Sequence, residues 1–296
     1  MPEPVASVIV PTRNRQEKLA NCIEALLADQ GSQSLEVIVV DDCSDDGTKE
    51  LLERWPAVQV ATTARPSGSS AARNLGLSLT TAPIVVFIDD DIVVKPGLLA
   101  GHLDFHRRNQ APELALGGLV TWDPKQPISQ HMRWLEDGGP LFAFNQIDDP
   151  QSVAPEHFCT ANVSVKRALL KRVDGPFNEE LKRFTDVDLG LRLADAGMKL
   201  HFDSALIGWH LRRDTPATTD ERMFEVGKAA RQLSRLGNST SAIAEPPVDD
   251  LKTRAKAVIA RIISPIVPLF PEKAADRVWG SRAAWAYGRG WRSEKP

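Results

Sequence analysis

The sequence predicts an α/β fold in which a mostly parallel β-sheet is covered by helices on both faces. Two observations lead to this fold. The segments that favour strands are apolar throughout, and segments with apolar residues at helical spacing lie between them. A strand with one face in water would instead alternate apolar and polar residues. The 296 residues, 42% hydrophobic and 25% charged, suffice for one large domain.

The first part of the chain alternates strands with helices. Strands are predicted at residues 5–10, 35–40, 58–61 and 84–88. Helices are predicted after residue 15, from Leu51 onward, and over 69–79, where serines would cap the first turn. Ligands bind beyond the carboxyl ends of parallel strands. The polar residues after these strands, Thr12, Asp42 and the triplet 89–91, are therefore expected at one edge of the sheet.

The pattern is weaker beyond residue 110. Strands are predicted at 114–120, 158–165, 199–202 and 206–209. A helix is predicted over 185–196, with Thr185 as its N-cap. The stretch 121–155, which contains Trp, Pro and Asp, indicates an irregular insertion.

Cysteine usage and the N-terminus bear on the compartment. The three cysteines Cys22, Cys43 and Cys159 form no CxxC pair and no framework spacing, which argues against a disulfide scaffold or a cysteine–zinc site. A reducing, cytoplasmic compartment fits best. No secretory signal or membrane span is predicted, because the longest apolar region, 258–270, is shorter than the roughly 20 residues that a span needs.

Charge is distributed unevenly along the chain. Residues 251–296 carry 10 Lys and Arg against 3 Asp and Glu, which leaves 26 against 36 for residues 1–250. Apolar residues recur at helical spacing within this basic tail, and Trp and Tyr alternate with Arg toward its end. Such a tail fits either the inner face of the plasma membrane, as a peripheral contact, or packing on the rest of the chain or on a second subunit. Nucleic acid is disfavoured because no nucleic-acid-binding motif is present.

The acidic triplet is the sharpest chemical signal. Asp89 and Asp91 lie two residues apart at the end of a strand, so both side chains would point the same way if the backbone stayed extended. Hard carboxylate oxygens at that spacing suit Mn²⁺ or Mg²⁺ bound to a diphosphate. On the triplet alone, a solvated acidic turn or a helix cap before Pro96 is an equally good interpretation.

Six short motifs extend this interpretation. They are VIVPTRN at 8–14, VVDDCSDDGT at 39–48, ARNLG at 72–76, FIDDD at 87–91, ANVSV at 161–165 and DVDLGLRL at 186–193. In this order they resemble the family-2 glycosyltransferases, whose architecture is the Rossmann-like A-type glycosyltransferase fold. The resemblance covers roughly residues 5–210 and is far more specific than any single motif.

The resemblance implies roles in binding a UDP-, GDP- or dTDP-sugar donor. The donor-binding residues are expected to be Pro11, Thr12, Arg13, Asp42, Arg73, Asp89 and Asp90. Asp42 would accept a hydrogen bond from the base, although it also suits a turn that caps the next helix. Arg73 would meet the diphosphate, although an arginine near a helix start commonly faces solvent.

The resemblance also implies a metal site and a catalytic base. Mn²⁺ or Mg²⁺ would be held by Asp89, Asp91 and His210, although His210 next to Trp209 also suits a packed strand end. The other histidines, at 102, 106, 131, 157 and 201, show no spacing that suggests a site. Asp186 would deprotonate the acceptor hydroxyl. The family usually has Glu-Asp where this chain has Thr185-Asp186, which leaves the acceptor contacts open.

These expectations combine into one hypothesis. An inverting, metal-dependent glycosyltransferase would move a sugar to the hydroxyl of a carbohydrate or lipid-linked acceptor, in polysaccharide, glycolipid or cell-envelope synthesis. Residues 1–115 would bind the nucleotide-sugar, 116–215 would bind the acceptor, and 216–296 would form a basic helical extension. The alternatives are a retaining transferase on the same fold and a non-catalytic nucleotide-sugar-binding or scaffolding protein. A nucleotidyltransferase is disfavoured, because residues 11–15 lack its Gly-rich loop.

Overall fold

In the computed structural model, which describes residues 3–31, 33–141, 143–235 and 245–294, strands and helices alternate along most of the chain. The strands are β1 (Ala6–Thr12), β2 (Leu35–Asp41), β3 (Gln59–Thr62), β4 (Ile84–Ile88), β5 (Ile92–Val94), β6 (Leu114–Trp122), β7 (Asn162–Lys166) and β8 (Lys199–His210). The helices are α1 (Gln16–Asp29), α2 (Thr48–Leu52), α3 (Ser69–Leu79), α4 (Leu98–Arg108), α5 (Gln130–Asp137), α6 (Arg167–Leu170), α7 (Thr185–Asp195), α8 (Pro216–Arg235), α9 (Leu251–Ile263) and α10 (Glu272–Ser293). Short 3-10 helices lie at Phe144–Gln146, Pro155–His157 and Ser264–Leu269.

The strands form one sheet in the order β3-β2-β1-β4-β7-β6-β8-β5. The first four strands of this order are parallel, whereas β7 runs antiparallel to both β4 and β6. All seven residues of β1 are buried, which explains why its sequence is apolar without alternation. The predicted α/β fold with a mostly parallel sheet is confirmed.

The loops after β1 and β2 meet at the carboxyl edge of the sheet. The amide of Asp42 donates to the carbonyl of Thr12 at 2.8 Å, and the amide of Asp45 donates to Oδ1 of Asn14 at 2.8 Å. Asn14 and Cys43 take left-handed backbone angles, with φ of 52° and 57°. Such a conformation is unusual for residues other than glycine and often marks a functional loop. The expected gathering of polar residues at this edge is therefore present.

The start of α3 differs from the sequence expectation. We expected serine side chains to cap this helix, but the N-cap residue is Gly68, with φ of 91° and no side-chain cap. The carboxylate of Asp42 accepts from the amides of Ser67 and Gly68 instead, each at 2.8 Å. A residue at the end of β2 thus fixes the entry to α3. Near the other end of the helix, a Cβ at Gly76 would lie 2.7 Å from Ile9 Cγ2, so glycine permits close helix–strand packing.

Two further expectations are corrected by the structure. The segment 121–155 is not irregular throughout, because it contains α5, whose N-cap Ser129 accepts from the amide of Met132 at 3.1 Å. The two short strands expected after residue 198 form one strand, β8, which pairs with β6 across a register shift between Gly118 and Leu119. A bulge of this kind interrupts the apolar pattern without ending the strand.

The sequence pattern gave no sign of α4, and the reason is visible in its buried face. This face carries two histidines, His102 and His106, one helical turn apart. Ser164 Oγ lies 2.8 Å from His102 Nδ1 and 2.9 Å from His106 Nε2, and Asn162 Oδ1 lies 2.9 Å from His102 Nε2. Their spacing, one helical turn apart, serves the packing of α4 onto β7.

The direction of the hydrogen bonds in this network follows from Asn162. Its amide nitrogen donates to the carbonyls of Leu119 and Leu206, so its oxygen must accept from His102 Nε2. His102 Nδ1 then accepts from the Ser164 hydroxyl, and that oxygen accepts from His106 Nε2. Both rings are neutral in this arrangement, and protonating His102 at Nδ1 would break its bond from the Ser164 hydroxyl.

Contacts divide the chain into two compact units. The first contains Met1–Lys125, Ile147–Glu180 and Thr185–Arg212, and holds the whole sheet. The second contains Gln126–Gln146, Leu181–Phe184 and Arg213–Pro296. Among the described residues, no helix is both long enough and apolar enough to cross a bilayer.

The second unit is built around the pairing of α8 with α10. A side chain at Gly227 would collide with the backbone of Tyr287, and one at Gly290 with the backbone of Phe224, so the two helices touch through their backbones. Trp279 is 2% exposed and packs edge-on against His131 at 5.0 Å. Of the four aromatic residues of α10 that suggested a lipid contact, Trp279 and Tyr287 are therefore core residues, whereas Trp285 and Trp291 are only partly buried.

The buried histidines predict a stability that falls with acid. Burial lowers the pKa of His102 to about 4 and of His106 to about 3, whereas an unfolded histidine titrates near 6.5. The unfolded chain therefore binds protons that the folded chain does not. The free energy of unfolding should be highest above pH 6.5 and fall as pH drops toward 4, with a loss of about 3 kcal/mol from His102 alone.

Urea unfolding at a series of pH values measures this effect. His102→Gln combined with His106→Gln should flatten the dependence on pH, whatever its effect at pH 7. His157→Gln, at a partly exposed histidine on the 3-10 helix Pro155–His157, serves as the control and should leave the dependence as in the parent. A parent chain whose stability is constant from pH 7 to pH 4 would contradict the prediction.

Candidate active site

The acidic triplet lies in a turn between β4 and β5. The amide of Ile92 donates to the carbonyl of Asp89 at 3.1 Å, so residues 89–91 are not extended. The argument that Asp89 and Asp91 point the same way because of strand alternation is therefore wrong. The three carboxylates have different partners, and each one is placed by a different element of the fold.

Asp90 and Asp91 are buried, at 4% and 3% exposure, and share one cation. Arg15 Nη1 lies 2.8 Å from Asp90 Oδ1 and 3.1 Å from Asp91 Oδ2. Asp90 also accepts from the hydroxyl of Thr12 at 2.8 Å. Thr12, predicted to contact the nucleotide, thus orients the middle aspartate of the triplet.

The two buried carboxyls differ in acidity. Burial raises the pKa of Asp90 to about 6, although the charge of Arg15 opposes the shift. Burial also disfavours the charged form of Asp91, but the charges of His210, Arg15 and Lys18 outweigh it and lower the pKa of this carboxyl. Asp91 therefore stays ionised to lower pH than Asp90, which suits a ligand of a cation.

His210 lies next to Asp91. Its Nε2 is 3.5 Å from Asp91 Oδ1, and both residues are buried. The ring also packs edge-on against Trp122 at 5.6 Å, and its Nδ1 accepts from the amide of Arg212 at 3.3 Å. The two interpretations of His210 are therefore compatible. The ring packs against a tryptophan at the end of a strand, and it also lies next to a carboxylate of the acidic triplet.

Asp89 is paired with Arg73. The guanidinium Nη2 lies 2.6 Å from Asp89 Oδ1, and its carbon lies 5.5 Å from the centre of the Phe177 ring. Arg73 is only 5% exposed, so the interpretation as a solvated helix face is wrong. Its Nε and the hydroxyl of Ser70, one turn earlier on α3, are buried and have no hydrogen-bond partner among the residues that the structure describes. Buried polar groups are normally bonded, so these two mark a position that a polar ligand would complete.

Asp186 lies in the first turn of α7 and is partly buried. Its Oδ1 accepts from the amide of Val187 at 3.0 Å. Burial raises the pKa of Asp186, and the charge of Arg73 opposes this while that of Asp89 adds to it. Asp89 and Asp186, almost a hundred residues apart in the chain, thus lie in the field of the same arginine.

The remaining predicted donor-binding residues lie at the ends of β1 and β2. Pro11 pairs with Val40 in the sheet, and Arg13, half-exposed, has its guanidinium 3.9 Å from Asp42 Oδ2. Asp42 accepts from the hydroxyl of Thr63 at 2.7 Å, besides its bonds at the entry of α3. It does not cap α2, whose first residue, Thr48, is held by Asp46. The roles of these residues toward a nucleotide stay predictions.

Sequence reasoning missed the basic side of the triplet. Arg15 is the N-cap residue of α1, and Lys18 lies in the first turn of this helix, with its Nζ 3.9 Å from Asp91 Oδ2. Arginine and lysine are common in exposed first turns, so only their position next to a buried acidic triplet distinguishes them. One signal was available: burying several carboxylates requires compensating cations nearby.

The donor atoms fit a divalent cation in part. The described residues contain no group of three or more His, Cys, Asp and Glu side chains placed to hold a metal. Asp91 and His210, however, offer an ionised oxygen and an imidazole nitrogen close together. Mn²⁺ and Mg²⁺ commonly take one or two protein ligands and complete their shell with phosphate oxygens and water. Two protein ligands at this position are compatible with a cation that arrives with a diphosphate.

Comparison with known proteins now identifies the family. The model of the family described as "Glycosyl transferase family 2" matches residues 7–161, more than half of the chain. The chain belongs to glycosyl transferase family 2. It resembles the glycosyltransferase AglE of Haloferax volcanii, at 27% identity over 244 residues that cover 79% of this chain and 75% of AglE. The validoxylamine A glucosyltransferase of Streptomyces hygroscopicus subsp. limoneus is 26% identical over 67% of this chain, which spans only 49% of that enzyme.

Solved structures show the same fold. The mannosyltransferase PcManGT from Pyrobaculum calidifontis, solved in complex with GDP-Man and Mn²⁺, matches with a TM-score of 0.66 at 20% identity, over 99% of this chain and 88% of its own. S. aureus TarS 1-349 in complex with UDP-GlcNAc matches with a TM-score of 0.58 at 19% identity, over 96% and 92%. This glycosyltransferase therefore has the A-type fold.

The shared cation gives a stability prediction. Arg15→Met would leave two buried carboxylates without their closest positive charge, and unfolding should become easier by about 1–2 kcal/mol. This expected loss is smaller than for a fully buried ion pair, because the Arg15 side chain is 44% exposed and water screens its charge. Chemical denaturation at pH 7.5 measures the change.

Arg13→Met is the matched control. Its side chain is similarly exposed, at 48%, and lies 3.9 Å from its carboxylate partner rather than in hydrogen-bond contact. Combining Arg15→Met with Asp90→Asn should recover part of the lost stability, because one uncompensated charge is removed. Equal effects of Arg15→Met and Arg13→Met would contradict the prediction.

Proposed function

We propose that this glycosyltransferase is an inverting, divalent-cation-dependent enzyme that moves a sugar from a UDP-, GDP- or dTDP-sugar to an acceptor hydroxyl. One observation carries the proposal. The guanidinium of the buried residue Arg73 pairs with the triplet aspartate Asp89 at 2.6 Å, and its positive charge also acts on Asp186, where it opposes the rise in pKa that burial causes. A donor-binding acid and the candidate base therefore lie in the field of one buried guanidinium.

The donor end of the site is formed by charges of both signs. Arg73 offers a buried guanidinium, and its free Nε and the Ser70 hydroxyl are donors that suit phosphate oxygens. Asp91 and His210 are the residues that would hold Mn²⁺ or Mg²⁺. When bound, such a cation would neutralise the charge that develops on the departing diphosphate. PcManGT, which has the same fold, was solved in complex with GDP-Man and Mn²⁺, and this supports the proposal of a divalent cation together with a nucleotide-sugar.

The acceptor end is assigned to Asp186. An inverting transfer needs a base that takes the acceptor's proton as its oxygen attacks the anomeric carbon from the face opposite the leaving group. Burial raises the pKa of Asp186, which makes this carboxylate a better base than an aspartate in water. Its Oδ1 is fixed by the amide of Val187, which orients the carboxylate at the start of α7.

The acceptor is proposed to be a carbohydrate or a lipid-linked sugar used in polysaccharide, glycolipid or cell-envelope synthesis. Thr185 stands where the family usually has glutamate, and it is 6% exposed as the first residue of α7. A buried hydroxyl here can accept or donate one hydrogen bond but carries no charge. Acceptor recognition in this chain is therefore expected to depend on neutral hydrogen bonds at this position.

Removal of the base should abolish turnover but not donor binding. Asp186→Asn should lower kcat by about 10²- to 10⁴-fold, because an amide cannot take the proton. Release of nucleoside diphosphate from a panel of nucleotide-sugars with Mn²⁺ and candidate acceptors measures turnover, and calorimetry measures binding. Asp195→Asn, at an exposed position on the same helix, is the control and should retain full activity.

The same base sets the pH profile. The proton must be absent from Asp186, so kcat should fall as pH drops through a pKa above the ordinary range of aspartate. Turnover by the parent chain that equals that of Asp186→Asn at every pH would support a scaffolding protein instead. A product that keeps the donor's anomeric configuration, seen by NMR, would support retention.

The cation assignment predicts coupling between metal and nucleotide. Thermal unfolding in the presence of UDP, GDP or dTDP should shift to higher temperature when Mn²⁺ or Mg²⁺ is added, because the ion bridges the protein and the diphosphate. Asp91→Ala and His210→Ala should remove the added shift while keeping the smaller shift with nucleotide alone. Asp104→Ala, on the exposed face of α4, should behave as the parent. An added shift that survives both site variants would overturn the assignment.

A further inference from the structure

The basic tail separates into two parts in the structure. The aromatic residues Trp279 and Tyr287 of α10 lie in the core of the second unit, but the preceding helix α9 and its 3-10 extension leave an apolar face exposed. This face, called here the α9 face, consists of Leu251, Val258, Ile259, Ile262, Ile266 and Leu269, which are 50–84% exposed. Monomeric proteins rarely leave a continuous apolar stripe of this kind in water.

The inner side of α9 shows why the stripe is not part of the core. Ala257 and Ala260 are the buried residues of this helix, at 6% and 4% exposure, and α9 packs on α10. Small residues face inward and large apolar residues face outward, the reverse of a helix whose packing depends on its apolar stripe. The large residues are therefore available for another partner.

Positive charges border the stripe on both sides. At 100° per residue, Leu251, Val258 and Ile262 fall on one line of the helix. Lys252 and Lys256 flank this line on one side, and Arg254 and Arg261 flank it on the other, all exposed. Residues 251–270 contain no acidic residue. Long basic side chains beside an apolar stripe can extend to phosphate groups while their methylenes stay in the apolar layer.

We propose that the α9 face binds the surface of an anionic phospholipid bilayer, with the helix lying parallel to the membrane plane. Its apolar residues would enter the boundary between headgroups and acyl chains, and its lysines and arginines would meet the phosphates. The surface adds a place of attachment to the proposed sugar transfer and does not depend on it.

A cavity beside the α9 face supports a phosphate-bearing partner. It measures about 500 Å³ and is lined by Asp249, Arg254, Val258, Trp285, Arg289, Arg292 and Ser293. Arg292 stacks on Trp285 at 5.5 Å, and Arg254 pairs with Asp249 at 2.7 Å. Three arginines against one carboxylate leave a positive cavity next to Val258, which suits a phospholipid headgroup.

Charge also argues against a second copy of the chain as the occupant. In a symmetric contact the α9 face would meet itself, so the lysines and arginines on its borders would face one another. Like charges at such distances repel, and a neutral apolar partner would leave them uncompensated. An anionic bilayer compensates all of them at once.

Vesicle flotation of the full chain tests the proposal. The parent chain should float with vesicles of phosphatidylcholine and phosphatidylglycerol, and float much less with phosphatidylcholine alone or at high salt. Ile259→Ser with Ile262→Ser should abolish flotation. Lys252→Glu with Lys256→Glu should weaken it by at least about fivefold per residue, since each basic residue near an anionic surface contributes that much.

Matched variants separate this surface from general effects. Val60→Ser removes another exposed apolar residue, and Arg107→Glu with Arg108→Glu makes the same change in net charge on α4. Both should float as the parent does, and circular dichroism verifies that every variant is folded. Absence of flotation by the parent, or flotation that survives the α9 variants, would overturn the proposal. So would dimers in light scattering that dissociate with Ile259→Ser and Ile262→Ser.

Discussion

The candidate site depends on one buried cation. A guanidinium removed from water is tolerated only where carboxylates and hydrogen bonds replace its hydration. Arg73 meets this condition at Nη2, which pairs with Asp89, while its guanidinium lies 5.5 Å from the centre of the Phe177 ring and its charge acts on Asp186. The end of β4 and the start of α7 are thereby held around one side chain of α3. The catalytic assignments all rest on that arrangement.

A second consequence of burial is that neighbouring aspartates become chemically different. Asp90 and Asp91 are equally buried and touch the same arginine, yet the pKa of the first is raised and that of the second is lowered. The difference comes from His210 and Lys18, which face only Asp91. The three carboxylates of the triplet therefore have different surroundings: Asp91 lies beside His210, Asp90 is bonded to Thr12 and Arg15, and Asp89 pairs with Arg73.

Much of this was accessible from the sequence. Apolar runs found the strands of the parallel half, because strands buried on both faces have no polar positions to confuse the pattern. The polar residues that end them met at one edge as expected. The pattern missed α4, because His102 and His106 are two of its four buried residues, and hydrophobic periodicity cannot detect polar residues buried in a hydrogen-bond network. It also missed Arg15, since its partners lie about 75 positions later in the chain.

The network under α4 also constrains how this protein can change over time. Asn162 is locked by two main-chain carbonyls, so the serine and both imidazoles are ordered by a single amide. Replacing Asn162 by an apolar residue would leave His102 Nε2 and the carbonyls of Leu119 and Leu206 without their side-chain partner inside the protein, so this amide is the member of the set that related sequences are expected to keep.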